Sequence, residues 1–283
     1  MEKPQNVVIT GSTRGIGFGL AREFLCRGHR VAVNGRGQVS VDRAVAELAA
    51  PGKVIGRHGD VRRRGDLQSL WDAAVEAFGR VDIWINNAAL APHRRPFHEV
   101  PAEELAATLD TNLAGAMQGA QIALRGMLAQ GGGKIYLFEG FGSDGMVNPG
   151  LTTYGTTKRA LHYFARSLAK EYEDSPILIG ALSPGMVPTD LLLYSSRSDD
   201  PAAWAHSKRI MNRLGDTVET VTPWLVEQAL ENRKQGARIV WLTRRKALAR
   251  FVLPKYGNRQ LVEDYEADLD HRPGPGLKKS MEQ

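Results

Sequence analysis

The sequence predicts an α/β protein: a single-domain, doubly wound parallel sheet of about seven strands, with helices on both faces and a helical C-terminal extension. Three observations predict it. Short β-branched runs alternate with longer amphipathic stretches through the first 190 residues, the pattern of βαβ units around a parallel sheet. The first run leads directly into a glycine-rich loop and a further amphipathic stretch. No internal repeat, low-complexity tract or composition shift marks a linker, so the 283 residues read as one domain.

In order, Asn6-Val7-Val8-Ile9-Thr10 is the first strand, and the loop Gly11 to Gly17 opens a helix over 15–28. Strands follow near 30–34, 53–57, 81–85, 133–138 and 176–181, where β-branched residues cluster. Helices fill the intervals at 40–50, 64–78, 101–129 with a break, and 152–172. A seventh strand candidate, Arg238-Ile239-Val240-Trp241-Leu242, comes after a polar stretch from Tyr194 to Pro201 and helical material to about residue 234. The domain is expected to span 1–243, including a substrate loop over 186–234. A charged extension over 244–270 and a disordered tail over 271–283 complete the chain, the tail carrying Arg272-Pro273-Gly274-Pro275-Gly276.

Composition narrows the classes. A hydrophobic fraction of 42% in a chain of 283 residues suffices for a core without a metal or a disulfide framework, and no metal site is read. The single cysteine, Cys26, has no partner for an intrachain disulfide. No run approaches 18 apolar residues, which predicts no membrane-spanning helix, and the first strand starts too early for a signal peptide to precede it. The expectation is a soluble, intracellular protein. The net charge of +6 points to nucleic acid only if the charge is clustered beside a recognition module, and none is present. The visible cluster is late: seven cations and no acid from Arg238 to Arg259, then five acidic residues over 263–270.

The chemistry-bearing residues begin with the loop Gly11-Ser12-Thr13-Arg14-Gly15-Ile16-Gly17. Its glycines suit a tight turn, close approach of the backbone to a pyrophosphate and helix-on-strand packing, with the helix N-terminus aimed at the anion. At the end of the second strand an acid would accept from the ribose 2′-hydroxyl of NAD. Here Gly35 stands there and Arg36 follows, with Arg14 as a second cation, which favours a 2′-phosphate and hence NADPH/NADP+. The alternative for Arg36 is a solvated loop residue. Tyr154 and Lys158 lie four residues apart at the start of a predicted helix, on one face. A free tyrosine titrates at about 10, and a neighbouring ammonium, together with the nicotinamide charge when oxidised, is expected to lower that value so that the phenol can exchange protons.

The three-residue spacing between Gly11 and Gly15, followed by Tyr154-Gly155-Thr156-Thr157-Lys158 after the fifth strand, resembles the short-chain dehydrogenases/reductases, a Rossmann-type family. The resemblance covers residues 6–190 and implies further roles. Asp60, in Gly59-Asp60-Val61, would accept from the adenine, with Val61 beside it. Asn87 and Ala88 fall in Asn86-Asn87-Ala88-Ala89, where alanine replaces the family's final glycine. Lys158 would hold the nicotinamide ribose, Asn112 would anchor a water in a proton relay, and Tyr154 would protonate a carbonyl oxygen. Pro184, Gly185, Val187 and Thr189 match the segment that fixes the carboxamide.

One position departs from the family. Its serine 13 residues before the tyrosine is Phe141 here, and the nearest serine is Ser143, 11 residues before. Either the glycine-rich loop presents Ser143 to the carbonyl, the favoured reading, or other groups orient the substrate. Gly142-Ser143-Asp144-Gly145, Ser183-Pro184-Gly185-Met186-Val187 and the tail from Trp241 to Phe251 resemble the chlorophyll b reductase branch of the family. That implies a small-molecule carbonyl substrate, with a chlorophyll-type pigment as the candidate, and reduction of its formyl group with NADPH. The alternatives are another aldehyde or ketone, or a catalytically weak dinucleotide-binding sensor or scaffold, the latter motivated by Phe141. Arg94, Arg95, His98, Trp204, Met211 and Trp224 read either as lining of a large amphipathic pocket or as rim and core. The basic segment docks on a membrane or a pigment-bearing protein, or packs on the body or a neighbouring subunit. Family resemblance further implies a homodimer or homotetramer, and the lack of a transit peptide leads to the expectation of a bacterial cytoplasm or, for a trimmed plant protein, the plastid stroma.

Overall fold

The computed structural model describes residues 3–197 and 200–271, with side chains up to 267. Of the expected disordered tail over 271–283, His271 instead ends a helix, and 272–283 lie outside the described residues. Seven strands form one parallel sheet: β1 (Asn6–Ile9), β2 (Arg30–Gly35), β3 (Val54–His58), β4 (Ile83–Asn86), β5 (Gly133–Phe138), β6 (Ile177–Ser183) and β7 (Ala237–Val240). Their order is β3-β2-β1-β4-β5-β6-β7, and every pairing is parallel. The order reverses between β1 and β4. At such a switch point the connections leave in opposite directions, and a crevice opens beyond the carboxyl ends of the strands.

Strands buried on both faces read as continuous apolar runs, as Val7-Val8-Ile9 and Ile83-Trp84-Ile85 do, each fully buried. Helices cover both faces. On one side α3 (Arg64–Phe78), α5 (Ala116–Ala129) and α6 (Thr152–Glu171) pack Leu70, Ala123 and Leu161 against Trp84, Ile135 and Ile179. On the other, α1 (Gly15–Cys26), α2 (Gln38–Leu48) and a later helix, Val218–Glu231, bring Leu20, Phe24, Val41 and Leu225 against Val31, Ile85 and Tyr136.

Between α3 and α5 lies α4 (Ala102–Leu109), joined to α5 by a π-helical turn over Asp110–Gly115 within the helical stretch expected over 101–129. After β6 come α7 (Asp190–Ser196), α8 (Pro201–Leu214) and α9 (Val218–Glu231). After β7, α10 (Arg244–Val252) and α11 (Leu261–His271) complete the described chain. Among the described residues no helix is long and apolar enough to cross a membrane.

The late basic segment is pinned to the body through Asp216. Asp216, at the end of the α8 turn, accepts from Trp241 Nε1 at 2.6 Å, Arg250 Nη2 at 2.5 Å and Arg259 Nη2 at 3.3 Å. Its own N–H donates to the carbonyl of Met186, so one acid ties the exit of β7 and the C-terminal segment to the loop after β6. Arg250 is buried, and Lys246 lies over the Trp241 ring. Arg244, Arg245, Leu248, Phe251, Val252 and Leu253 stay exposed.

Candidate active site

The loop after β1 and the loop after β4 are stitched together at the switch point. The Thr10 hydroxyl accepts from the backbone N–H groups of Asn87 and Ala88, and Asn87 Nδ2 donates to the carbonyls of Thr10 and Gly11. This closeness is why glycine is required: a Cβ on Gly11, whose φ is +62°, would lie 2.8 Å from Ala88 Cα, and one on Gly17 would lie 2.5 Å from Asn87 Nδ2. Ser12 is buried, donating to Ile9 O at 2.7 Å and accepting from Asn34 N at 2.9 Å. Gly15 opens α1, which has no capping side chain and no acid in its first turn. Its free N–H groups and positive dipole end therefore face the crevice, and such a cradle fits a pyrophosphate. Ile16 anchors the loop against the core.

At the end of β2, Thr13 fills the space beside Gly35, and a Cβ there would lie 2.5 Å from Thr13 Cγ2. An acidic side chain at 35 has no room in this arrangement. Arg36 is exposed next to it. Arg14 reaches across the cradle to Asp190 at 3.2 Å, an exposed pair worth under about 1 kcal/mol. Burial pushes the Asp60 carboxyl up, but the Arg62 guanidinium and backbone N–H outweigh it and hold the group below its ordinary range. Val61, beside it, is buried.

Tyr154 and Lys158 share one face of α6. Lys158 is buried and donates from Nζ to the carbonyl of Phe138 at 2.9 Å, with Nζ 5.6 Å from the centre of the Tyr154 ring. Burial brings Lys158 down to about 8, partly countered by the Glu139 carboxylate. Tyr154 departs from expectation. Burial pushes its hydroxyl up to about 12, because a phenolate withdrawn from water loses its hydration. Before any ligand binds, the phenol is thus a protonated donor.

Asn112 is fully buried within the π-turn. Its Oδ1 accepts from Leu90 N and its Nδ2 donates to Leu90 O, both at 2.7 Å, and Nδ2 also reaches Thr157 Oγ1 at 3.1 Å. A π-turn re-aims a side chain that a continuous helix would point elsewhere. The loop after β5 folds back on itself: Ser143 N donates to Gly140 O, and Gly145 N to Gly142 O. Ser143 is buried with its Oγ accepting from Gly140 N at 3.1 Å. Gly140 in turn abuts the Tyr154 hydroxyl, where a Cβ would collide with it. Gly140 thus lies between the Ser143 hydroxyl and the Tyr154 phenol, while Phe141 is half-buried.

Beyond β6, Pro184, Val187 and Thr189 are buried, and Gly185 turns at φ +76°. The Thr189 hydroxyl caps α7, accepting from Leu192 N, and its methyl faces Gly15. A cleft beside Tyr154 is lined by Arg95, Phe97, Val100, Leu151 and Thr153. Of the other candidate pocket residues, Met211 is core with Leu193 and Val262, and Trp224 stacks edge-on against Trp241. Arg94 binds Pro149 O and Asn148, and His98 is exposed beside Glu99.

The sequence profile of the short chain dehydrogenases matches residues 5–200. The chain belongs to the short-chain dehydrogenase family. The chain is 35% identical over 268 residues to probable chlorophyll(ide) b reductase NYC1 of Arabidopsis thaliana, a match covering 88% of this chain and 53% of that protein. It is 37% identical over 234 residues to chlorophyll(ide) b reductase NOL of Oryza sativa subsp. japonica, covering 80% and 66%. The chain thus spans about half to two-thirds of the length of these relatives. A 3-ketoacyl-(acyl-carrier-protein) reductase from Brucella melitensis, solved with NADH, shares the fold at a TM-score of 0.76 and 20% identity, covering 86% of this chain and 98% of that one.

Two features of this short-chain dehydrogenase site escape the sequence reading. The π-turn depends on contacts of Asn112 with Leu90 and Thr157, 22 and 45 residues away. Glu139 is a buried acid beside Lys158, and its one signal in the sequence is a charge directly after the apolar run of β5.

Proposed function

We propose that this short-chain dehydrogenase is an NADPH-dependent carbonyl reductase that converts the formyl group of a chlorophyll-type ring to hydroxymethyl. The observation that carries the reading is Tyr154, a phenol kept protonated beside the cleft with Lys158 behind it. When bound, the reduced dinucleotide supplies the hydride. The residues of the chain do the rest. The Gly11 to Gly17 cradle holds the pyrophosphate on the α1 N-terminus. Arg36 and Arg14 meet the 2′-phosphate, Asp60 and Val61 meet the adenine, and Asn87 with Ala88 shapes the floor. Pro184, Gly185, Val187 and Thr189 fix the carboxamide edge.

Tyr154 donates its proton to the carbonyl oxygen as the carbon is reduced, and Lys158 stabilises the tyrosinate left behind. Asn112 holds the relay that returns a proton from solvent. Ser143, folded back over Gly140, orients the carbonyl in place of the serine the family carries two residues earlier. The substrate class rests on likeness to the chlorophyll(ide) b reductases, together with the Gly142 to Gly145 loop they suggest by resemblance. The exposed Leu248, Phe251, Val252 and Leu253 beside Arg244 and Arg245 suit docking on a pigment-bearing protein or an anionic membrane. Assembly as a homodimer or homotetramer, in a bacterial cytoplasm or a plastid stroma, completes the proposal.

The test is turnover of NADPH with a panel of aldehydes and ketones that includes formyl chlorins. Activity on formyl chlorins supports the reading. Activity on other carbonyls alone leaves a reductase of another substrate, and NADPH binding without turnover leaves the sensor or scaffold.

A further inference from the structure

Glu139 follows β5 directly, one residue after the carbonyl that receives Lys158. Its carboxylate is wholly shielded from solvent. Oε1 meets His162 Nδ1 at 2.6 Å, and Oε2 accepts from Arg238 Nε at 2.7 Å. The three side chains come from the end of β5, from α6 one turn beyond Lys158, and from β7. A buried carboxylate costs several kcal/mol unless it is well paired, and an apolar residue often serves packing as well or better. No step assigned to Tyr154, Asn112 or Ser143 uses this acid.

Its neighbours show what it can act on. Lys158 is faced by Tyr154 from its own helix, by Glu139 from β5 and, through Thr157, by the uncharged Asn112 of the π-turn. Glu139 is faced by His162 from α6 and Arg238 from β7, with Arg166 lining the same crevice. The Glu139 field favours the ammonium, against the burial that drives the lysine towards its neutral form.

We propose that Glu139 is a positioning residue of the active site, whose carboxylate, clamped by His162 and Arg238, keeps Lys158 protonated against the Phe138 carbonyl into the alkaline range. The proposal rests on the reductase reading for its consequence in catalysis, but the charge of Lys158 can be measured without turnover.

The experiment is NMR titration of the full chain carrying lysine labelled at Nζ with nitrogen-15, the Lys158 signal being assigned by its loss in Lys158→Met. Glu139→Gln, which keeps shape and an acceptor, should lower the Lys158 midpoint by about one pH unit. Where the enzyme turns over, the alkaline limb of kcat/KM should fall with it, giving about tenfold lower activity than wild type above the limb. Glu139→Asp should restore the midpoint most of the way. Should Glu139→Gln not fold, the double variant Glu139→Leu with Arg238→Met replaces the buried ion pair by apolar groups, and its midpoint should lie below that of Arg238→Met alone, from which it differs only at Glu139. An unchanged midpoint in the folded variant overturns the proposal. Absence of turnover in the wild type defeats the reductase reading and leaves this titration to decide the role of Glu139.

Discussion

Lys158 directs its ammonium at the Phe138 carbonyl, 2.9 Å away, and stands 5.6 Å from the centre of the Tyr154 ring. This arrangement makes the lysine a fixed charge beside a phenol that burial keeps protonated. Removing only the phenolic oxygen isolates its role. Tyr154→Phe should lose about 10²-fold to 10⁴-fold in kcat while NADPH still binds, read by turnover and by nucleotide fluorescence titration. Full activity in that variant removes Tyr154 as the acid.

The two shifted groups set the pH response. Tyr154 is pushed up to about 12, so it stays protonated through the working range. Lys158 is brought down to about 8, so its charge is lost as pH rises through that value. Reduction should therefore show an alkaline limb near pH 8 in kcat/KM. In Lys158→Arg the limb should vanish even if the rate falls, because a guanidinium stays charged. Stability should run the other way. Between about 8 and 10.5 the unfolded chain holds the Lys158 proton that the folded chain has lost, so this group makes stability rise with pH there.

Gly35 leaves no room for an acid while Thr13 occupies its present position, and Arg36 supplies the exposed cation instead. Arg36→Asp should weaken NADPH binding by about tenfold or more and move preference towards NADH, measured as the ratio of the two kcat/KM values. An unchanged ratio rejects the assignment of Arg36.

Asp216 holds Arg250 and Arg259 against the body, with Arg250 at 3% side-chain exposure. Asp216→Ala leaves a buried guanidinium without its carboxylate and should cost about 3–5 kcal/mol, visible as a lowered denaturation midpoint. A loss below about 1 kcal/mol would show that the C-terminal segment is not anchored through this acid.

Much of this was legible in the chain because its signals are local. Seven strands follow from apolar runs such as Val7-Val8-Ile9, and the cradle and the Tyr154–Lys158 pair follow from spacing on one loop and one helix. Boundaries moved by a residue or two, as at β4, where Val81 and Asp82 precede the strand. What stayed hidden depends on distant partners. Asn112 takes its orientation from Leu90, Glu139 finds Arg238 99 positions away, Met211 proves to be core with Val262, and Trp224 packs partly buried against the core and Trp241. The expected lowering of Tyr154 by Lys158 reversed for a related reason: spacing gives proximity, whereas the balance between attraction and lost hydration depends on burial.

Reduction of a formyl chlorin is read from one spectrum. Purified protein with NADPH and chlorophyll b, or its chlorophyllide, should shift the pigment's absorption to that of the hydroxymethyl product, at the pace of NADPH loss and not in Tyr154→Phe. A pigment spectrum that stays unchanged while NADPH is bound and the protein is folded would show that the protein does not reduce a formyl chlorin.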